Sequence, residues 1–159
     1  MPETTAQPLT FFSEAQAALV EALADVLIPP RGNTPGAGQA GGVVFIDREV
    51  RRSPELRRAF LEGLHKIDLA AHAKGGKPFA SLPEKAKVSV LQSIESAEPI
   101  FFETLIQMVY GSYYTNPEVL KKLGLPHEPP QPKGYKLEQG QTLVLIEKVK
   151  ARKKLYRDA

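Results

Sequence analysis

Three residues in one short stretch have the spacing of a metal or proton-transfer site. His65, Asp68 and His72 fall at i, i+3 and i+7, so a helix through them places all three on one face. Two imidazoles and a carboxylate suit zinc, and a small metalloenzyme built on them is one reading of the chain. A metal needs further ligands, and no other His or carboxylate cluster is aimed at this face. Asp68 and His72 read more simply as an i, i+4 pair in a polar stripe. The remaining histidine is His127.

Other chemistry is sparse. Arg31 to Gly42 holds five glycines and Pro35. Its Gly36-Ala37-Gly38 resembles a phosphate cradle, but a dinucleotide loop follows a strand, and here a helix ending in Pro29-Pro30 comes first. The simpler reading is a wide surface loop whose glycines permit positive φ. No G-x-S-x-G nucleophile turn is present. Glu95 and Glu98 read as solvated charges at a helix end. With no cysteine, the chain has no disulfide, thiolate zinc site, iron–sulfur cluster or c-type haem attachment. The residues therefore assign no catalytic, cofactor-binding or metal role.

The elements that position these residues are helical. Ser13 and Gln16 have capping-box spacing, and Ala15, Leu19, Ala22, Leu23, Val26 and Leu27 follow a helical rhythm until Pro29. Val43 to Arg52 is a short helix with Val43, Ile46 and Val50 on one side. Ser53-Pro54 opens the next helix, which buries Leu56, Phe60, Leu64, Ile67 and Ala71 and stops near Gly75-Gly76. Ser81 and Glu84 predict a second capping box ahead of a helix carrying Ala86, Val90, Leu91, Ile94 and Ala97. From Pro99 the apolar residues cover more than one face, which predicts a central helix ending at Gly111. Asn116-Pro117-Glu118 caps a short last helix stopping at Gly124.

The chain changes character at residue 126. Pro126, Pro129, Pro130, Pro132 and Gly134 make an extended, solvated or partner-covered segment. Thr142 to Ile146 is β-branched and aliphatic, and periodicity leaves strand, helix or a transition open there. Eight Lys/Arg against three Asp/Glu lie between 133 and 159, so the basic surplus belongs to this arm. The expected organisation is a compact, mainly α multi-helix domain over 1–125 and a proline-rich, extended and basic C-terminal arm over 126–159. A hydrophobic content of 42% supports one core, and no apolar run approaches the length of a membrane span. Met1 to Thr10 lacks the basic region and apolar core of a signal peptide. Arg51-Arg52 and Arg57-Arg58 lie mid-chain in helical patterns. A stand-alone helical module using the basic arm on nucleic acid or membrane is the alternative reading. Only Tyr156 accompanies the Lys148–Lys154 cluster, so no nucleic-acid partner is expected.

Four segments, in order, resemble one family. They are Leu23-Ala24-Asp25-Val26-Leu27-Ile28-Pro29, then Thr34-Pro35-Gly36-Ala37 followed by Val43-Val44-Phe45-Ile46-Asp47, then Gly111-Ser112-Tyr113-Tyr114-Thr115-Asn116-Pro117, then Pro130-Gln131-Pro132-Lys133-Gly134-Tyr135. Together they resemble the small subunit of gluconate 2-dehydrogenase and related FAD dehydrogenases over roughly Leu19 to Tyr135. The third departs from the family pattern in having Ser112 where Tyr tends to follow Gly. The resemblance implies a chain without its own cofactor. It implies a catalytic large subunit of the glucose–methanol–choline type that holds FAD, and a cytochrome c subunit that accepts electrons in many such complexes. The small subunit supports folding, stability or co-export of the flavoprotein. A periplasmic location follows, reached with the partner or through a removed leader, with the cytoplasm as the alternative. The expected partner contacts are Thr34, Pro35 and Gly36, an exposed Tyr113-Tyr114 pair, and Pro129, Pro130, Pro132 and Tyr135.

Overall fold

The computed structural model describes residues 9–126 and 146–151. The chain divides into two units, Met1–His127 and Glu128–Ala159. In the first, helices α1 (Glu14–Leu27), α2 (Gly42–Arg52), α3 (Pro54–Gly75), α4 (Glu84–Ala97), α5 (Pro99–Tyr114) and α6 (Pro117–Lys122) follow in order, with a 3-10 turn at Phe79–Ser81. No strand occurs among the described residues. In the second, residues 146–150 are helical and exposed.

Local signals set most helix starts. Ser13 Oγ accepts from the Gln16 N–H and Gln16 Oε1 accepts from the Ser13 N–H, closing the capping box of α1. Ser53 Oγ accepts from the Leu56 N–H with Pro54 at the first position of α3. Asn116 Oδ1 accepts from the Glu118 N–H at α6. The box expected at Ser81 is absent. Ser81 closes the 3-10 turn that buries Phe79, and Pro83 stands at the α4 N-cap without a side-chain bond.

Packing then selects the faces. α3 lies against α2 and α4, and α5 touches α1, α2, α3, α4 and α6. Phe60, Leu64, Ile67 and Ala71 of α3 are buried as the pattern predicts. Each fully buried Leu, Ile or Phe contributes on the order of 2 kcal/mol. Phe12, Phe60 and Phe101 form an aromatic chain through the core, with centroids 6.1 and 5.6 Å apart. Gly63 makes room for it, because a Cβ there would sit 2.4 Å from the Phe101 ring.

Two further expectations are corrected. α1 buries Ala17, Val20, Leu23 and Ala24. Of the expected Ala15, Leu19, Ala22, Leu23, Val26 and Leu27, only Leu23 is buried, Ala15 is exposed and the others are half-buried, so the buried face is rotated. Most positions of this helix are apolar, so only its neighbours could choose between faces. α5 does not end at Gly111 but runs to Tyr114, because Gly111 is an interior position facing the Phe45 ring. Its touch on α1, α2, α3, α4 and α6 fits a central place, yet Ile100, Tyr110 and Tyr114 leave one edge exposed.

Candidate functional site

Three of the four motif segments meet at one corner of the helical unit, and Asp25 organises it. Asp25, near the end of α1, accepts at Oδ1 from the backbone N–H of Gly38 at 2.8 Å and of Gln39 at 3.3 Å. The loop after α1 is thereby drawn back across the helix that precedes it. Gly36, Ala37 and Gly38 are buried, so the centre of this loop is not the wide surface turn expected from its glycines. Gly36 and Gly38 have no positive φ. They are glycine because a Cβ at Gly36 would lie 2.3 Å from Asp25 Oδ1, and one at Gly38 would lie 2.3 Å from the Glu21 carbonyl oxygen. The N–H groups that could cradle a phosphate at Gly38 and Gln39 are directed at Asp25 instead.

The end of α5 seals the corner. Tyr113 is buried, and its hydroxyl donates to the Pro35 carbonyl at 2.9 Å. Burial raises its phenol above the ordinary value, and the neighbouring Tyr114 adds to the rise, so Tyr113 stays a neutral donor near pH 7. Asn116 Nδ2 donates to the Ala40 carbonyl at 3.0 Å. Buried Ser112 lies against Gly42, whose Cβ would approach its Oγ to 2.9 Å. Tyr113 therefore belongs to the core, and the expected exposed pair reduces to Tyr114, which is 49% exposed and edge-on to Tyr113. Thr34 and Pro35 are half-buried and Gly36 is buried. Pro129, Pro130, Pro132 and Tyr135 lie outside the described residues. Replacing Tyr113 by Phe is expected to cost about 1 kcal/mol, lowering Tm by about 3 °C without loss of helicity. An unchanged melting curve by circular dichroism would show that water replaces the lost donor.

The second motif carboxylate was missed as an organiser by sequence reasoning. Asp47 of α2 is buried and accepts four hydrogen bonds from a segment 35 to 37 residues earlier. Oδ2 accepts from the Thr10 N–H and hydroxyl, and Oδ1 from the N–H groups of Phe11 and Phe12, at 2.8 to 2.9 Å. Burial pushes its pKa up, but the bonds from Phe12, Thr10 and Phe11 outweigh that and hold the carboxyl below its ordinary value. A lone acidic residue on the apolar Val43-Ile46-Val50 face was the available signal.

His65, Asp68 and His72 do share a face of α3. They border a groove of about 430 Å³ with Leu19 of α1 and Phe79 of the 3-10 turn. His72 Nδ1 lies 2.9 Å from the Asp68 carbonyl oxygen, as an N–H donor would, and 3.4 Å from Asp68 Oδ1. Among the described residues no group of three His or carboxylate side chains converges on a common point for a metal. No helix among them is long and apolar enough to cross a membrane.

The corner is built from the segments that carry the family resemblance, and the whole-chain comparison agrees with them. Residues 14–131 match the family described as gluconate 2-dehydrogenase subunit 3, a span that takes in α1 through α6. No curated protein and no solved structure matches the chain. The family match covers well over half of the sequence, and the chain belongs to the gluconate 2-dehydrogenase subunit 3 family.

Proposed function

We propose that this chain is a non-catalytic accessory subunit of a FAD-dependent sugar or alcohol dehydrogenase. Its partner is a catalytic flavoprotein of the glucose–methanol–choline type, which it helps to fold, stabilise or export. FAD resides in that partner, a cytochrome c subunit takes the electrons, and the complex works in the periplasm. The observation that carries the reading is the match of residues 14–131 to a dehydrogenase subunit family. The geometry of the motif residues supports it physically. Asp25, Asp47, Tyr113 and Asn116, the motif groups with chemistry to give, are each bonded to the chain's own backbone. Groups held in this way specify a shape, and a shape is what a supporting subunit presents to its partner.

Co-expression with the neighbouring reading frame tests the reading. A yellow complex with a flavin spectrum is expected, together with a colourless and inactive chain when it is expressed alone. The soluble yield of flavoprotein should fall severalfold without the small subunit. A flavin spectrum in the isolated chain, or a flavoprotein equally soluble and active alone, would overturn the proposal.

A further inference from the structure

The outer edge of α5 and the adjoining face of α2 carry aromatic surface that the helical unit leaves uncovered. Tyr110 and Tyr114 are 47% and 49% exposed, one turn apart, with ring centroids separated by 5.9 Å. Gly111 beside them has no side chain, and a Cβ there would come within 3.9 Å of the Phe45 ring. The half-buried Phe45 of α2 thus lies beside the α5 turn that carries the two tyrosines. The Arg48 guanidinium lies over the Phe45 ring, 5.4 Å from its centroid. Glu49 bridges Arg48 to Arg52, and the two arginine side chains are 54% and 66% exposed. Tyrosine and arginine dominate binding energy at protein interfaces because each presents broad area with a polar end. Here ring–ring and cation–π contacts hold the side chains in place before any partner arrives, which lowers the entropy lost on docking.

We infer that the Tyr110, Tyr114 and Phe45 patch, edged by Arg48 and Arg52, is the surface that docks the catalytic flavoprotein. The matching face of that subunit has an apolar centre and carboxylates opposite the arginines; the inference rests on the accessory-subunit reading above. Charge decides among occupants. The chain's own 133–159 segment has eight basic and three acidic residues, so an arginine edge repels it. A two-fold contact with a second copy brings two arginine edges into one interface. An anionic bilayer meets Glu49 at the same edge. A protein face bearing carboxylates has none of these conflicts, and arginine's planar fork suits a carboxylate.

The test is the affinity of the full chain for the flavoprotein, by titration calorimetry at two salt concentrations. Two variants are compared with wild type: Tyr110→Ala with Tyr114→Ala, and Arg48→Glu with Arg52→Glu. Each pair is expected to weaken binding about tenfold or more, and in the arginine pair added salt should no longer weaken binding, because like charges then face each other. Tyr114 rests on the buried Tyr113, so circular dichroism checks the tyrosine variant. The exposed arginines can be reversed without entering the core, and that variant decides if the other unfolds. Wild-type affinity in the arginine variant overturns the inference and leaves the accessory role standing. A wild-type chain that does not bind the flavoprotein overturns both. Flotation with phosphatidylglycerol vesicles that the arginine changes abolish, or a dimer that they dissociate, assigns the edge elsewhere and overturns the inference too.

Discussion

Replacing Asp47 by Asn is expected to cost about 3 kcal/mol at pH 7 and to lower Tm by roughly 10 °C. The carboxylate accepts three backbone N–H groups and one hydroxyl from Thr10 to Phe12. An amide keeps one acceptor oxygen and turns an NH2 towards donors, so at least one N–H is orphaned. Thr10 is exposed and water can serve it, but Phe12 is buried and has no such recourse. The loss spreads further because these bonds hold Phe12 against Phe60 at the head of the aromatic chain. Acid has a related effect on the wild type. The folded pKa lies below the 3.8 of an unperturbed Asp, so the stabilisation is complete above that value and disappears as pH falls through the folded pKa. The gap in Tm between wild type and variant should therefore be full at neutral pH and shrink steadily below about pH 4. Thermal unfolding followed by circular dichroism from pH 2.5 to 7 reads it. A gap of constant size at every pH would mean that the variant fails through packing and that the charge is immaterial.

Asp47 also shows where reading the sequence stops. The capping box at Ser13 and the N-cap at Ser53-Pro54 were legible because cap and partner lie within three residues, so no tertiary knowledge is needed. The α3 face was legible because polar residues interrupt its apolar ones and leave a single stripe. α1 was misread by a rotation because apolar residues surround it. Ser81 and Gly111 have the residue types of a cap and a terminator, but each is overridden from elsewhere. Phe79 is drawn into the core ahead of Ser81, and Phe45 packs on Gly111. The bonds of Asp47 to Thr10 and of Tyr113 to Pro35 span 37 and 78 residues. No local pattern announces pairings at that range.

The same long-range bonds change what the motif residues mean. The sequence placed Thr34, Pro35, Gly36 and Tyr113 with Tyr114 as outward contacts. At this corner, Pro35 and Tyr113 are engaged with each other and Gly36 is buried against Asp25. Three of the resemblance motifs thus mark residues that bring α1, the glycine loop and α5 together. What this packing leaves exposed includes Tyr114. A motif can identify a family through its internal joints as readily as through its contacts.

The glycine loop provides the second large effect. Replacing Gly38 by Ala is expected to cost about 3 kcal/mol, because the new methyl meets backbone. Its Cβ would lie 2.3 Å from the Glu21 carbonyl oxygen and 3.0 Å from the Asp25 carboxyl. The α1 carbonyl cannot turn aside without disturbing the helix, so the loop must lift and release the Gly38 N–H from Asp25. Lifting the loop also withdraws the Pro35 carbonyl from Tyr113, which couples the damage to α5. Gly32 makes a sharp control in the same loop. It has φ 58° and nothing within 4 Å of a Cβ, so alanine there meets only the cost of a left-handed backbone, about 1 kcal/mol. Urea unfolding of the two variants should rank Gly38→Ala well below Gly32→Ala in stability, with equal m-values. If Gly38→Ala proves the milder of the two, the loop does not lie against α1 at Glu21, and Asp25 is not what holds it.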